Sequence, residues 1–489
     1  MAGTVAEMGL ERPDPQVIVI FGASGDLTKR KAMPALYNLY RENLLPSNFA
    51  VVGFARTPMS KDEFRSSMRE AVALHSRSGI AERYWGPFKE HLDYQSGSYS
   101  DPTGWIDFRK YLDEVDAEFG TQARRLYYCA TPPSAFPEII HCIGEMDMAE
   151  GSRIVVEKPF GYDLDTAHDL NSVVHGVFHE DQIFRIDHYL GKETVQNILV
   201  FRFSNGMFEP IWNRSYVESV QIDVAESVGV EGRGSFYEGA GAIRDIVQNH
   251  MLQLLATLAM EPPALFEAES IRNEKVKLLR SVRQIDPIET VKGQYTSGVV
   301  DGRAVPGYQE EPGVEPGSMT ETYAAMKLSI DNWRWAGVPV YLRTGKRMPR
   351  RETTITVYFH GAPHLLFEAS GLERPRRNHL TIRVQPDEGI TLTFGAKVPG
   401  PDMKVAPVDM DFDYDESFMS APAEAYERLI LDAMLGDATL FTRADEIERS
   451  WQIVEKILPK SPTEPYPAGT WGPAAADELV APDNWHLRR

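Results

Sequence analysis

The first part of the chain alternates short apolar runs with longer segments of helical periodicity. Runs of β-branched and aromatic residues are typical of buried strands, and apolar residues three or four positions apart are typical of amphipathic helices. The predicted strands cover residues 16–21, 49–54, 126–130, 153–156 and 182–184. Because helical segments separate them, the pattern predicts a parallel, doubly wound sheet whose strand ends lie along one edge.

The helical segments between these strands differ in how clear their pattern is. The predicted helices cover residues 27–43, most of 60–120, 135–148 and a segment for which Asp163 is a suitable N-cap. Residues 84–100 interrupt the second of these with aromatic and glycine residues, and we interpret them as an insertion. Residues 301–318, rich in Gly, Pro and Glu, predict a long loop.

The pattern changes after residue 193, where longer runs alternate between apolar and polar positions. Such alternation is typical of antiparallel strands with one covered face. The predicted strands cover residues 217–224, 323–330, 338–343, 353–360, 380–385 and 390–394, and one helix covers residues 241–260. Since 489 residues exceed what one core usually supports, we expect two large domains.

The densest chemistry follows the strand at 182–184, where residues 185–193 read RIDHYLGKE. Open α/β sheets bind ligands beyond the carboxyl ends of their strands. His188, Tyr189 and Lys192 offer cationic and hydroxyl donors suited to a phosphate, and Asp187 is an acceptor that can orient a histidine from elsewhere. The alternative interpretation is a polar loop whose charges are merely solvated.

A glycine turn, GASGD at residues 22–26, joins the first strand to its helix. Such a turn lets the backbone approach a pyrophosphate, whose charge is met by N–H groups at the start of the helix. The candidate cofactor-binding residues are Gly22, Ser24, Gly25, Asp26 and Leu27. The spacing departs from GxGxxG, so a tight turn without a ligand is the alternative. Together with the strand patterns, this turn predicts the fold class α/β plus α+β. We expect a doubly wound dinucleotide-binding domain at 10–187 and a larger domain at 188–489 built on a broad, mainly antiparallel sheet.

Two further strand ends carry basic residues. Arg56 follows the second strand, where dinucleotide folds contact the adenosine ribose; an acidic residue there binds the 2′-hydroxyl, whereas an arginine accommodates a 2′-phosphate. We therefore expect NADP rather than NAD. Lys158, after the strand at 153–156, lies where its ammonium would reach both nicotinamide and substrate. An exposed arginine and a surface lysine are the alternatives.

In the second half, one helix and one basic cluster stand out. Asp245 and His250 lie on the helix at 241–260, and five residues correspond to roughly 140° around a straight α-helix, so we expect them on different faces. A lone histidine there is more often a buried structural residue than a ligand. Lys346, Arg347, Arg350 and Arg351 follow a predicted strand, and such a cluster is usually a solvated turn.

The composition of the chain argues against several classes of binding partner. A net charge of -20 and a pI near 5.1 argue against nucleic acid and anionic membrane surfaces, so an anionic substrate would need a local basic pocket. The two cysteines and the scattered histidines show no metal-ligand spacing, and we expect free thiols and no metal. Because no signal-like or membrane-spanning apolar run is found, we expect a cytoplasmic protein.

From about residue 16 to 475, the chain resembles the glucose-6-phosphate dehydrogenase family in the order and spacing of its motifs. These motifs are GASGDLTKRK, GFAR, EKPFG, RIDHYLGKE, EGRG, IRDIVQNHMLQ, RTGKRMPRR and YPAGTWGP. RIDHYLGKE is the most specific of them, and the glycine turn alone is not specific. The resemblance implies oxidation of β-D-glucose 6-phosphate at carbon 1 to 6-phospho-D-glucono-1,5-lactone with hydride transfer to NADP, the first oxidative step of the pentose phosphate pathway.

The resemblance also implies roles for residues. By motif, His250 corresponds to the general base and Asp187 to its orienting carboxylate. The implied substrate-binding residues are Lys158, His188, Tyr189, Lys192, Glu226, Asp245, Lys346 and Arg351. Apart from the resemblance, a broad antiparallel sheet with one uncovered face suggests a dimer interface, so we expect a homodimer or homotetramer. Arg383 and Lys397 resemble a second, structural NADP site that only some relatives have, and this question stays open.

Two alternatives to this activity follow from the same motifs. The first is an oxidoreductase of the glucose-fructose oxidoreductase type, acting on an unphosphorylated sugar, and the RIDHYLGKE segment counts against it. The second is a non-catalytic NADP sensor, and the presence of both His250 and Asp187 argues against it.

Overall fold

The computed structural model describes residues 12–364, 377–401, 403–418 and 423–486, apart from the side chain of Asp415. The chain forms two compact units. The first unit comprises Met1–Lys192, Pro263–Asn273 and Ala423–Glu448, and the second comprises Glu193–Pro262, Glu274–Pro422 and Arg449–Arg489. The chain therefore returns to the first unit twice after leaving it.

The first unit contains a six-stranded sheet in which every pair of neighbours is parallel. Its strands are β1 (Gln16–Phe21), β2 (Phe49–Ala55), β3 (Leu92–Ser96), β4 (Arg125–Cys129), β5 (Arg153–Val156) and β6 (Ile183–Arg185). The order across the sheet is β3-β2-β1-β4-β5-β6. Every residue of β1 and β2 is buried, which explains their unbroken apolar sequences. The predicted doubly wound parallel sheet is confirmed.

Helices follow the strands of the first unit. Its α-helices are Met33–Arg41, Lys61–His75, Glu82–Glu90, Pro102–Phe119, Phe136–Glu145, Leu164–His175 and Ala425–Leu435; a π-helical segment covers Thr28–Ala32, and 3₁₀ turns cover Pro133–Ala135 and Glu180–Gln182. Two more α-helices, Ala268–Ser281 and Ala444–Val454, contain boundaries between segments of the two units. Asp163 caps the helix Leu164–His175 as predicted, with its side chain accepting from the backbone of Thr166.

The interpretation of residues 84–100 as an insertion is wrong. They include most of the helix Glu82–Glu90 and the whole of β3, the edge strand that pairs with β2. The sequence signal is weak because β3 alternates buried with partly exposed residues, as an edge strand does, and it has no continuous apolar run. The predicted long helix at 60–120 is in fact three helices and this strand.

The second unit contains a nine-stranded sheet with the order β16-β15-β14-β13-β7-β12-β11-β8-β17. Its strands are β7 (Val217–Ala225), β8 (Thr290–Thr296), β11 (Tyr323–Leu328), β12 (Val340–Gly345), β13 (Glu352–Phe359), β14 (His379–Gln385), β15 (Gly389–Lys397), β16 (Val405–Asp413) and β17 (Glu464–Pro467); β9 (Gly298–Val300) and β10 (Arg303–Val305) form a separate hairpin. The β7–β12 and β8–β17 pairs are parallel and the others antiparallel. The predicted broad, mainly antiparallel sheet is confirmed.

Some elements of the second unit were missed. Strands β8, β16 and β17 were not predicted: β16 has no buried residue, and β17 contains two prolines. The loop predicted at 301–318 instead contributes β10 and a 3₁₀ turn. The helices of this unit are Glu193–Phe203, Gly234–Ala242, Leu252–Ala259, Tyr414–Phe418 and Ala475–Glu478, the π-helix Ile243–Met251, and 3₁₀ turns at Glu209–Ile211, Pro287–Glu289, Tyr308–Glu310 and Glu455–Ile457. Across the described ranges, no helix is both long and apolar enough to cross a membrane.

Candidate active site

The glycine turn after β1 brings the backbone close to the end of β4. Gly22 has φ +81°, and a Cβ added to it would lie 2.5 Å from the carbonyl oxygen of Ala130, so no other residue fits. The N–H of Gly25 donates to the carbonyl of Gly22 at 2.9 Å, which closes the turn. The Thr28 hydroxyl donates to the same carbonyl at 3.2 Å. The turn is therefore rigid, and it leads directly into the helical segment that starts after Leu27.

The ends of β1 and β2 meet beside this turn. The hydroxyls of Ser24 and Thr57 are 3.2 Å apart, which links the glycine turn to the segment that follows β2. Arg56 precedes Thr57, is exposed, and makes no hydrogen bond or ion pair with another residue that the structure describes. By contrast, the exposed Arg30 pairs with Asp26 at 2.8 Å. The Arg56 guanidinium is thus available to a ligand at this edge of the sheet.

The RIDHYLGKE segment is an ordered pair of turns and not a solvated loop. Asp187 is buried, and its Oδ1 accepts from the N–H of Tyr189 at 2.9 Å. The N–H of Leu190 donates to the carbonyl of Asp187 at 3.0 Å, and the N–H of Lys192 donates to that of Tyr189 at 3.1 Å. Tyr189 is buried, whereas His188 and Lys192 are half-buried, with Lys192 Nζ 5.5 Å from the centre of the Tyr189 ring. These hydrogen bonds fix the path of the backbone from Asp187 to Lys192 and hold the Asp187 carboxylate.

A buried tyrosine and glutamate support this segment, and sequence reasoning missed both. The Tyr426 ring lies parallel to the His188 ring, at 12° and 6.4 Å between centres. Its hydroxyl is 3.5 Å from Glu157 Oε2, and the Tyr128 hydroxyl donates to Glu157 Oε1 at 2.6 Å. Burial raises the pKa of Glu157 to about 7. The EKP motif was a signal for Glu157, but only the neighbouring Lys158, which is half-buried, was singled out.

In the second unit, three predicted substrate-binding residues form one cluster. Lys346 is buried, and its Nζ donates to Glu226 Oε2 at 2.6 Å and lies 3.7 Å from Asp245 Oδ2. The same Nζ is 5.0 Å from the centre of the Tyr237 ring. The Tyr466 hydroxyl donates to the carbonyl of Lys346 at 2.7 Å and fixes its backbone. The alternative of a solvated turn is therefore wrong for Lys346.

The remaining members of the basic cluster lie nearer the surface. Arg351 is exposed and donates to the side-chain oxygen of Gln385 at 3.0 Å. Arg350 pairs with Glu352 at 2.6 Å, and Arg347 pairs with Glu311 at 3.2 Å. Of these three, Arg350 and Arg347 are therefore held by carboxylates, whereas the contact described for Arg351 is to a neutral amide.

Asp245 and His250 lie on a π-helix, Ile243–Met251, and this changes their relation. A π-helix bonds each residue to the fifth residue along, so residues at i and i+5 lie nearly above one another. The prediction that the two side chains occupy different faces, which assumed an α-helix, is therefore wrong. His250 is buried, with 1% of its surface exposed.

The π-helix starts at a specific backbone feature. Gly241 has φ +65° and breaks the preceding helix, Gly234–Ala242. The buried Glu321 accepts from the backbone N–H of Ile243 at 3.2 Å through Oε1, while its carbonyl accepts from the N–H of Ala242 at 2.9 Å. A side chain at Gly241 would collide with the Glu321 carboxylate. Glu321, also missed in the sequence, thus caps the helix that carries Asp245 and His250.

Each unit therefore contributes its own group of candidate residues. The first has the glycine turn, Arg56, Lys158 and the segment from Asp187 to Lys192, all beyond the carboxyl ends of its strands. The second has Glu226, Asp245, His250, Lys346 and Arg351. The pairing of Asp187 with His250 joins residues of different units and stays a prediction.

Arg383 and Lys397, which resemble a second NADP site, both contact protein acceptors. Arg383 donates to the Thr391 hydroxyl at 3.0 Å and to the carbonyl of Phe412 at 3.0 Å. Lys397 donates to the carbonyl of Gly400 at 2.8 Å. These contacts account for both cations within the sheet of the second unit.

Comparisons with known proteins identify the family of the chain. The chain matches the models of the glucose-6-phosphate dehydrogenase NAD-binding domain over residues 19–197 and of the C-terminal domain over residues 199–488. It is 48% identical over 484 residues to a glucose-6-phosphate 1-dehydrogenase of Aggregatibacter actinomycetemcomitans, covering 96% of this chain and 97% of that one. It is 46% identical over 497 residues to one of Chlamydia muridarum, covering 98% of each chain.

A solved structure extends the agreement to the fold. A glucose-6-phosphate dehydrogenase in complex with its substrate glucose 6-phosphate superposes with a TM-score of 0.89 at 36% identity, covering 98% of this chain and all of the other. The family models cover both halves of the chain, and the relatives match it over almost their whole length. The chain belongs to the glucose-6-phosphate dehydrogenase family.

Proposed function

We propose that this chain oxidises β-D-glucose 6-phosphate at carbon 1 to 6-phospho-D-glucono-1,5-lactone with NADP as the hydride acceptor. The observation that carries the proposal is the match, over 98% of the chain, to a solved relative with glucose 6-phosphate bound. The residue types agree with this reaction, since it requires a proton acceptor and an anion site.

The first unit has the features that NADP requires. The rigid turn at Gly22 gives a pyrophosphate close access to the backbone, with Ser24, Gly25, Asp26 and Leu27 as the neighbouring cofactor-binding residues. The exposed guanidinium of Arg56 makes no hydrogen bond or ion pair with the residues that the structure describes, and it suits a 2′-phosphate, with which it can form charge-assisted hydrogen bonds. When bound, NADP supplies the acceptor for the hydride that leaves carbon 1.

We propose substrate-binding roles for residues of each unit. We assign the phosphate to His188, Tyr189 and Lys192, with Lys346 and Arg351 contributing further cations. Binding of this distant dianion fixes the orientation of the reacting carbon. Sugar hydroxyls need both donors and acceptors, and these are provided by Lys158, Glu226 and Asp245. The contact between Lys346 and Glu226 supports this role because it places a hydrogen-bond donor and an acceptor side by side, 2.6 Å apart.

We assign the proton transfer to His250, with Asp187 as its orienting carboxylate. Hydride can leave the hemiacetal carbon only as the hydroxyl proton is removed, and an imidazole is suited to that step near neutral pH. His250 is buried, so its proton exchange would be confined to the site. Asp187 is also buried and is held by the backbone of Tyr189, which favours one orientation of its second oxygen.

The wider assignments rest on the family and on the exposed strands of the second unit. We propose that the enzyme catalyses the first oxidative step of the pentose phosphate pathway in the cytoplasm. We also propose a homodimer or homotetramer, because a broad sheet ending in the exposed strand β16 offers a surface for a second copy. Residues 10–187 and 188–489 are the proposed functional domains.

The direct test measures absorbance of reduced nicotinamide after the protein is mixed with NADP and glucose 6-phosphate. Glucose replaces the phosphorylated sugar in one control, and NAD replaces NADP in another. We expect rapid reduction only with the phosphorylated sugar. Equal rates with glucose would indicate the glucose-fructose oxidoreductase type, and NADP binding without reduction of NADP would indicate a sensor.

A variant of the proposed base sharpens this test. His250→Asn should lower turnover by about 10² to 10⁴ while NADP and sugar binding change little. Asp187→Asn should also lower turnover, and the double variant should be little worse than His250→Asn because the two residues act as a unit. Near-full turnover in His250→Asn, or additive losses in the double variant, would contradict the assignment.

A further inference from the structure

Glu157 is a buried carboxylate without an ion-pair partner among the described residues. It follows β5, 6% of its surface is exposed, and its described hydrogen bonds are to the hydroxyls of Tyr128 and Tyr426 and to the backbone of Lys158. A buried carboxylate normally has a cation beside it, because burial strongly disfavours an isolated charge. Only two hydroxyls and the backbone and charge of Lys158 favour the ionised form of Glu157, so this acid next to candidate substrate residues calls for a functional explanation.

The titratable groups around Glu157 come from several elements of the first unit. Strand β4 contributes Tyr128 and the buried thiol of Cys129, and the residue after Glu157 is Lys158. The helix Ala425–Leu435 contributes Tyr426. Tyr426 in turn is influenced by the charges of Asp187 and Glu424, and Lys31 Nζ lies 6.0 Å from the centre of its ring. Lys31 is itself paired with Glu424 at 3.0 Å.

Tyr426 connects Glu157 to the RIDHYLGKE segment. Its hydroxyl points to Glu157 Oε2, and its ring lies parallel to the imidazole of His188. Tyr426 is therefore a single side chain that contacts Glu157 at its hydroxyl and lies beside His188 at its ring.

We propose that Glu157 is a positioning residue that acts through Tyr426 on His188, and that its ionised form favours binding of the sugar phosphate. This inference rests on the proposed phosphate-binding role of His188. An ionised carboxylate accepts from both phenols at once, whereas a protonated one must donate its own hydrogen and can then satisfy only one of them as an acceptor. The contact with Tyr426, at 3.5 Å, is longer than the one with Tyr128, at 2.6 Å, and is the one lost on protonation.

The environment of Glu157 places this change in a useful pH range. Burial raises its pKa to about 7, against the opposing effect of the two hydroxyls and Lys158. Both forms are therefore populated near neutrality. Below that range, the Tyr426 ring loses its fixed partner, and the imidazole beside it is held less well for the phosphate.

The test compares wild type with Glu157→Gln, an isosteric change that cannot ionise. KM for glucose 6-phosphate and kcat are measured from about pH 6 to about pH 8.5. We expect the ratio of the variant's KM to that of wild type to rise from near one at the acidic end to about threefold to tenfold at the alkaline end. The ratio cancels the titration of His188 and of the substrate phosphate. The kcat ratio and KM for NADP should stay constant.

Two tyrosine variants provide matched controls. Tyr426→Phe keeps the ring but removes the hydroxyl, so adding Glu157→Gln to it should change KM at no pH. Tyr128→Phe removes a donor to the carboxylate and leaves the link to Tyr426. The rise should then persist but occur at higher pH, because the carboxylate loses a hydrogen bond that favours its ionised form.

A second readout does not depend on activity. Infrared difference spectra of wild type between about pH 6 and pH 8.5 should contain the carbonyl band of a protonated carboxylic acid, and this band should be absent in Glu157→Gln. A KM ratio that is independent of pH, or a missing band, would overturn the proposal. If instead wild type failed to reduce NADP with glucose 6-phosphate while the band was present, the proposed function would be wrong and the titration of Glu157 would stand.

Discussion

The two units of the molecule each contain a buried carboxylate, and the two carboxylates differ in their bonding partners. In the first, Glu157 directly after β5 has hydrogen bonds to two phenol hydroxyls and a backbone group, and among the described residues it forms no ion pair. In the second, Asp223 on β7 forms an ion pair with the buried guanidinium of Arg343 on β12. Burial raises the pKa of both acids, to about 7 for Glu157, and Arg343 opposes the rise for Asp223.

The difference indicates what each acid can do. In a buried ion pair, neither partner can lose its charge without leaving the other uncompensated. The Arg343 guanidinium also contacts two aromatic rings, and it lies 5.1 Å from the centre of the Trp471 ring and 4.5 Å from that of Trp485. Asp223 is thus a fixed part of the sheet. Phenols stabilise a carboxylate without requiring its charge, so Glu157 can titrate near neutrality while its surroundings stay intact.

The largest expected effect is on the ion pair. Asp223→Asn should lower the free energy of unfolding by about 3 to 5 kcal/mol, because it leaves a buried guanidinium unpaired. Urea denaturation followed by tryptophan fluorescence measures the loss. The double variant Asp223→Asn/Arg343→Met should recover most of it, since burial of the pair is itself costly. A loss below about 1 kcal/mol in the single variant would remove the contrast with Glu157.

The next largest expected effect concerns Glu157, where removal of the carboxyl group should raise the free energy of unfolding relative to wild type as pH increases. Its folded pKa of about 7 lies above the unfolded value of 4.5, so the native state keeps a proton that the unfolded chain releases. Wild-type stability due to this group is therefore greatest below pH 4.5 and falls up to about pH 7, at up to about 1.4 kcal/mol per pH unit. Relative to wild type, Glu157→Gln should gain on the order of 3 kcal/mol as pH rises from about 4.5 to about 8.

The measurement is the difference in unfolding free energy between the two proteins at both pH values. Subtraction cancels the titration of all other groups. An equal difference at about pH 4.5 and about pH 8 would mean that Glu157 does not titrate in this range. It would then resemble Asp223, and the comparison between the units would fail.

Sequence patterns predicted the parts of this molecule that depend on local chemistry. The buried strands of the first unit were visible because every residue in β1 and β2 is apolar or small enough to bury, except Gln16, which donates to backbone carbonyls. The glycine turn and the RIDHYLGKE segment were found because their residue types are unusual directly after a strand. The edge strand β3 was missed because only one of its faces is buried.

Long-range contacts were beyond the reach of these patterns. Glu157 and Tyr426 are 269 positions apart, and Asp223 and Arg343 are 120 apart, so no local period links them. The π-helix was missed for another reason. An α-helix and a π-helix differ by one residue in their hydrogen-bond spacing, and the apolar pattern of residues 243–251 does not distinguish them.

The third prediction concerns the cluster of Lys346, Glu226 and Asp245 in the second unit. Lys346→Gln removes the cation between Glu226 and Asp245, which lie 2.6 and 3.7 Å from its Nζ. We expect KM for glucose 6-phosphate to rise. The increase should correspond to a loss of about 1.5 to 3 kcal/mol in binding free energy, the usual contribution of a hydrogen bond to a charged group. Steady-state kinetics at fixed NADP measure it. The exposed Arg350→Gln is a matched control, and an equal effect there would remove Lys346 from the substrate site.

Arg56 differs from Asp223 and Glu157 because its charge is exposed, and we expect it to contribute to cofactor binding and not to stability. Because Arg56 makes no ion pair or hydrogen bond in the described chain, Arg56→Ala should leave the unfolding free energy almost unchanged, unlike Asp223→Asn and Glu157→Gln. It should weaken NADP binding by about 1.5 to 3 kcal/mol, the worth of a charge-assisted contact to the 2′-phosphate, and leave NAD binding unaffected. Fluorescence titration with each reduced cofactor measures both affinities.

Arg30→Ala is the control for this variant, since Arg30 is also exposed near the turn but is already paired with Asp26. Equal losses for NADP and NAD in Arg56→Ala would show that the guanidinium does not recognise the 2′-phosphate.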